Sequence, residues 1–150
     1  MARKGVIGLG NPVRGDDGIS EVLIRRLSEE SSPSDVEFID IGTGSVKALH
    51  VLGRLDKAII LDAVFFGGDP GEYVFFDPEE VKSLKRSKNP HDSTLFEVLE
   101  LSRKMEELPE EIQIMGIQPK DVSLKEGLSP ELESEIPKLL NALRQKIAEL

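Results

Sequence analysis

The sequence has no cysteine, which removes disulfides, thiolate zinc sites and a cysteine nucleophile at once. It has two histidines, so imidazole chemistry must use His50 or His91. Positive charge is short: 19 lysines and arginines stand against 28 aspartates and glutamates, a net charge of −9. Nucleic-acid affinity rests on neutralising phosphates, and adhesion to anionic lipid on basic clusters, so neither nucleic acid nor a membrane is an expected partner. The one dense basic run, Lys82, Lys85, Arg86 and Lys88, reads as a solvated helix face. No stretch approaches the ~20 apolar residues of a membrane helix. The basic opening Met1-Ala2-Arg3-Lys4 leads into an apolar run too short for a signal peptide, so a cytoplasmic location is expected. A Gly-x-Ser-x-Gly elbow and a Walker lysine pattern are also missing, and Val13 stands where a dinucleotide fingerprint needs its third glycine.

What is present is an ordinary soluble composition, 39% apolar and 31% charged over 150 residues, suited to one domain covering 1–150. Short apolar or alternating runs predict strands at 5–10, 36–41, 58–62, 73–76 (near an edge) and 112–117. Helical periodicity predicts helices over 16–27, over 46–52, from Asp77-Pro78 onward, over 93–108 and from Ser129-Pro130. Pro137 is expected to kink the last of these. Strands and helices largely alternate. The fold class is therefore α/β, a three-layer domain with a twisted, mostly parallel five-stranded sheet and helices on both faces, phosphorylase/hydrolase-like.

The segment Val6-Ile7-Gly8-Leu9-Gly10-Asn11-Pro12-Val13-Arg14-Gly15-Asp16-Asp17-Gly18 carries most of the functional signal. A strand runs into a glycine turn and then into two acids where a helix should begin, a place where such folds put chemistry. One acid of the pair serves the helix N-terminus, where negative charge is favoured; either Asp16 or Asp17 is then left for other work. Asp62 ends the otherwise apolar strand Ala58-Ile59-Ile60-Leu61 and reads either as a loop cap or as a second site carboxylate. His50 lies within a helix and reads as structural, whereas His91 lies in a polar loop with no packing reason to exist. Two carboxylates and an imidazole suit a divalent first-row metal such as nickel or zinc better than calcium, and three protein ligands leave positions open for substrate. The Gly42-Thr43-Gly44-Ser45 turn is either a plain turn or an anion cradle at a helix N-terminus.

These residues resemble the hydrogenase maturation endopeptidases, which process the large subunit of nickel-iron hydrogenases. The resemblance runs along essentially the whole chain. It rests on Gly8-Leu9-Gly10-Asn11 with Gly15-Asp16-Asp17-Gly18, Asp40-Ile41-Gly42-Thr43, Ile60-Leu61-Asp62-Ala63, Pro70-Gly71-Glu72, Pro90-His91, Gly116-Ile117-Gln118-Pro119 and Gly127-Leu128-Ser129-Pro130. It implies that Asp17, Asp62 and His91 are nickel ligands, with the second acid of the pair as the ligand. It further implies that the protein makes one cut, removing a C-terminal extension from the hydrogenase large-subunit precursor once nickel is installed. The nickel is then that of the substrate, the precursor is the partner, and the protease is a monomer or weak homo-oligomer. Gly42 and Thr43 would touch substrate, although Ile41 stands where the family usually has glycine. No serine or threonine nucleophile with a paired base is visible. Either the metal activates water, or the ligands grasp the nickel while strain or a carboxylate such as Asp16 or Asp40 drives cleavage. Recognition is preferred, because no general base accompanies the ligands. Gly8-Leu9-Gly10-Asn11-Pro12 also resembles the opening of bacterial peptidyl-tRNA hydrolases, but that family follows it with Thr-Arg-His-Asn, where this chain has Val13-Arg14-Gly15-Asp16-Asp17 and no histidine. A nickel-sensing module that binds the precursor without cutting it is the non-enzymatic alternative.

Overall fold

The computed structural model describes residues 2–30, 35–80 and 93–150. His91 and the basic run at 82–88 lie outside them. A parallel sheet covered on both faces requires strands with apolar residues pointing both ways, and the alternation here divides cleanly into two cores. Val6, Ile59, Leu61, Met115 and Ile117 point to one face, Ile7, Ile60 and Ile114 to the other.

Five strands make one sheet: β1 (Lys4–Leu9), β2 (Val36–Gly42), β3 (Lys57–Ala63), β4 (Tyr73–Phe76) and β5 (Glu111–Ile117). Their order is β2-β1-β3-β5-β4, parallel throughout except for β4, which runs antiparallel to β5 at the edge. Helices α1 (Ile19–Ser28) and α4 (Pro130–Ala148) cover one face through Leu23, Leu27, Leu132, Leu139 and Leu143. Helices α2 (Ser45–Gly53) and α3 (Ser93–Lys104) cover the other through Ala48, Leu52, Leu95, Val98 and Leu99. Gly8 permits the close seat of α1, because a methyl group there would lie 3.1 Å from Ile24 Cγ1 and 3.2 Å from Ser20 Cβ. Since α1 and α2 lie on opposite faces, the chain leaves β1 in one direction and returns to β3 on its other side. The gap beyond the C-terminal ends of β1 and β3 is thus the topological switch point of the sheet.

The expected architecture is observed, with local differences. The helix expected from residue 16 begins as a 3₁₀ turn, Gly15–Gly18, and becomes α-helical only at Ile19. The expected helix at Asp77-Pro78 is a single 3₁₀ turn, Pro78–Glu80, within the described residues, and the Asp77 carboxylate accepts a bond from the Gln113 side chain on β5. Helix α3 stops before 108 because Glu106 adopts a left-handed conformation (φ 56°), and the Glu107 N–H folds back onto the Ser102 carbonyl, 3.0 Å away. Helix α4 runs unbroken through Pro137, which lies on its exposed face, where water can serve the carbonyl that proline leaves without a donor. Ser129 caps it, its hydroxyl accepting from Leu132 N at 3.3 Å. Among the described residues no helix is long and apolar enough to cross a membrane.

Leu139 is fully buried between α4 and the sheet. Leu139→Ala should lower unfolding free energy by about 2–5 kcal/mol in a urea titration.

Candidate active site

The site grows out of the turn that follows β1. Gly10 has φ 135°, and a Cβ there would run into the carbonyl oxygen of Asp17, so only glycine fits. Its N–H donates to the Gly42 carbonyl at 3.0 Å, tying the turn to the end of β2. Asn11 then organises the next residues: its side-chain oxygen accepts from Val13 N at 3.1 Å and its carbonyl from Arg14 N at 3.0 Å. The turn closes when Asp17 Oδ2 accepts the Asn11 N–H at 2.8 Å.

The adjacent acid does something different. Asp16 is fully buried, and its two carboxylate oxygens accept four bonds: from Lys120 N (2.8 Å), Asp121 N (3.0 Å), Ser129 N (2.7 Å) and Ser129 Oγ (2.9 Å). Its own N–H donates to the Asp121 carbonyl at 2.9 Å, and Gly15 N donates to Lys125 O at 2.8 Å. A buried carboxylate held by backbone N–H groups from a distant loop is an anchor. With both oxygens engaged, Asp16 is poorly placed to act as the base proposed from sequence, and its four bonds go to the loop after β5 and the start of α4, with no side-chain cap made at the helix start it was expected to serve.

Asp17 and Asp62 are the carboxylates left for the switch point. Asp62 is buried (3% exposed) in β3, level with Gly116 of β5. Gly8 pairs with Leu61, so Asp62 sits one step further along, beside Leu9 and the turn, and β3 contacts the turn that carries Asp17. Two buried carboxylates at the same sheet edge are hard oxygen donors suited to a divalent cation. Among the described residues no three His, Cys, Asp or Glu side chains form a metal cluster; the expected third ligand, His91, lies outside those residues. His50 is exposed on α2.

Asp40 stands exposed at the end of β2, where Gly42 N donates to its Oδ1 at 3.3 Å. Partial desolvation raises its pKa, opposed by that N–H; Glu21 raises it further and Lys47 lowers it. Gly42 takes φ 70°, and Thr43 is exposed beside it. Ile41 is the extra residue where the pairing of β1 with β2 slips, and it is buried in the core beneath α2 and α3.

Two residues matter here that sequence reasoning did not single out. Gln118, nearly buried, accepts from Phe66 N (2.9 Å) and Gly68 N (3.2 Å) through Oε1, which fixes the loop following Asp62-Ala63. Ser129 was visible as a helix cap, but its bond to an aspartate 113 residues away had no local signature.

The open α/β sheet with acids at its switch point defines a class of enzyme-like folds whose site lies beyond the strand ends. Residues 21–146 match the family model described as hydrogenase maturation protease. The chain is 31% identical over 148 residues to the hydrogenase 2 maturation protease of Escherichia coli K12, covering 97% of this chain and 88% of that one. It is 28% identical to a putative hydrogenase maturation protease of Methanocaldococcus jannaschii, over 95% of this chain and 94% of that one. Its fold superposes on the E. coli hydrogenase maturating endopeptidase HybD with a TM-score of 0.86 and 29% identity, covering 98% and 93% of the two chains. The [NiFe] hydrogenase maturation protease HycI of Thermococcus kodakarensis gives 0.71 and 25%, covering 96% and 91%. The chain belongs to the hydrogenase maturation protease family. That membership sets aside the likeness to peptidyl-tRNA hydrolases.

Asp16→Asn turns an amide N–H₂ toward donors that need an acceptor and should destabilise the fold by at least about 2 kcal/mol in urea. Asp121 supplies a pH signature. The Ser123 N–H and hydroxyl, and then Lys125, hold its pKa down at about 2 against an ordinary 3.8. A depressed carboxylate contributes stability that is complete above its unfolded pKa and is lost as pH falls through the folded one. Asp121→Asn should therefore flatten the acid-side slope of stability between pH 3.8 and about 2, read from urea midpoints at a series of pH values.

Proposed function

We propose that this protease removes the C-terminal extension of a nickel-iron hydrogenase large-subunit precursor after nickel insertion, in the cytoplasm, with Asp17, Asp62 and His91 as the groups that meet the nickel. The observation that carries this reading is the placement of two buried carboxylates, Asp62 near the C-terminal end of β3 and Asp17 in the turn that follows the adjacent parallel strand β1. Nickel is part of the substrate in this scheme. It accepts carboxylate oxygen and imidazole nitrogen, so a precursor lacking it would lose the bond that seats it.

Within the chain, the roles divide. Asp16 and the Asn11 turn hold Asp17 still, Gln118 holds the backbone beyond Asp62, and Gly42-Thr43 borders the site from β2. Asp40 is the described carboxylate beside Gly42 with exposure and a raised pKa, and we assign it the candidate role in proton transfer during cleavage.

The test is incubation of nickel-loaded and nickel-free precursor with the protein, followed by intact mass measurement. Loss of a C-terminal fragment is expected only with nickel present. Asp17→Ala, Asp62→Ala and His91→Ala should each slow the cut by at least about 10-fold, since disturbing even a group behind a metal ligand costs about 10–100-fold. A precursor that binds and stays whole would instead make the protein a docking module.

A further inference from the structure

We infer that the cleft between the acidic turn, α1 and the start of α4 is the groove that seats the protein substrate, and that it takes an extended segment with an apolar side chain flanked by lysine or arginine. The inference rests on the reading above that the substrate is a protein chain. The cleft encloses about 420 Å³ and its walls include the apolar side chains of Pro12, Val13, Val22 and Leu128. Gly15 and Gly18 also line it, so it is built on the turn that carries Asp17.

Apolar exposure extends past the cleft mouth. Val13 is 47% and Leu124 74% exposed, and the segment that carries Leu124 is tied to Val13 where Lys125 N donates to the Val13 carbonyl at 3.0 Å. A single exposed aliphatic residue is ordinary, but an exposed Val13 that continues the apolar wall of a cleft marks an interaction surface. Val13 and Leu124 cannot fold inward, because the Asn11 turn and the bonds of Gly15 and Asp16 to Lys125 and Asp121 fix the backbone on both sides.

Charge selects the occupant. The cleft's cation, Arg25, is spent on Glu21 at 2.6 Å. The other acidic wall residues, Glu126 and Glu133, form no ion pair among the described residues and leave negative charge facing the groove. A second copy of a chain of net charge −9 fits such a surface badly, and a segment combining an apolar and a basic side chain fits it well.

The probe is the peptide acetyl-Lys-Leu-Lys-amide titrated into the ¹⁵N-labelled protein, with acetyl-Glu-Leu-Glu-amide as control. Saturable shifts at the Val13, Gly18, Val22 and Gly127 amides are expected with the cationic peptide alone. The double variant Glu126→Gln, Glu133→Gln should raise its Kd roughly tenfold, the size of two lost exposed charge pairs; Val13→Ser should weaken it independently. Equal binding of both peptides, shifts elsewhere, no shifts, or an unchanged Kd in both variants would overturn the proposal. So would shifts at these amides on raising protein concentration alone, which would assign the cleft to a second copy. With nickel-loaded precursor, the same variants should raise KM and leave kcat unchanged. Precursor cut by both variants at the wild-type KM sinks the groove but not the cleavage reading. Precursor left whole by the wild type, with the peptide still mapping to the cleft, sinks the cleavage reading and supports the groove.

Discussion

The buried carboxylate of Asp16 is the fixed point around which the functional end of the molecule is arranged. A full negative charge removed from water costs several kcal/mol unless donors replace the lost hydration. Here the donors come from Lys120, Asp121 and Ser129, so the charge is tolerable only when the turn after β1, the loop after β5 and the start of α4 are all in place. The Lys120 ammonium, whose pKa rises chiefly through its bond to Glu131, also feels the Asp16 charge. One side chain therefore makes the rigidity of the Asp17 turn a property of the whole fold.

The sheet does the complementary task of bringing distant acids together. Crossing from β2 over β1 to β3 opens the switch point, and the register Gly8 to Leu61 sets Asp62 beside the turn. The neighbouring acids Asp16 and Asp17 are separated in role by their bonding: one faces inward to the loop after β5, and the other reaches back to Asn11 at the edge of the site. Gln118 does for the loop after β3 what Asn11 does for the turn after β1, replacing a regular ladder with a side chain that satisfies stray N–H groups.

The strands were legible because their residues alternate between two cores, a pattern that needs no knowledge of partners. Helix bounds were less legible. The tight turn at Gly15–Gly18 and the left-handed Glu106 depend on bonds to Asp121, Lys125 and Ser102, and these leave no periodic trace. Asp62 could be named because it ends an apolar run where a charge is out of place, whereas Asp17 was told from Asp16 only through the family resemblance. Asp40 and Asp16 looked alike in sequence, and only their surroundings tell them apart.

By itself the sequence determined the α/β class, the absence of thiol chemistry, the poor match to nucleic acid and the acids at the strand ends, since each follows from residue type and spacing. The tertiary structure decided which acid is anchor, that β1 and β3 are neighbours, that Gln118 and Ser129 hold the site, and that a cleft with an acidic wall lies beside the turn. Those decisions rest on contacts between residues dozens of positions apart, and such contacts exist only once the chain has folded.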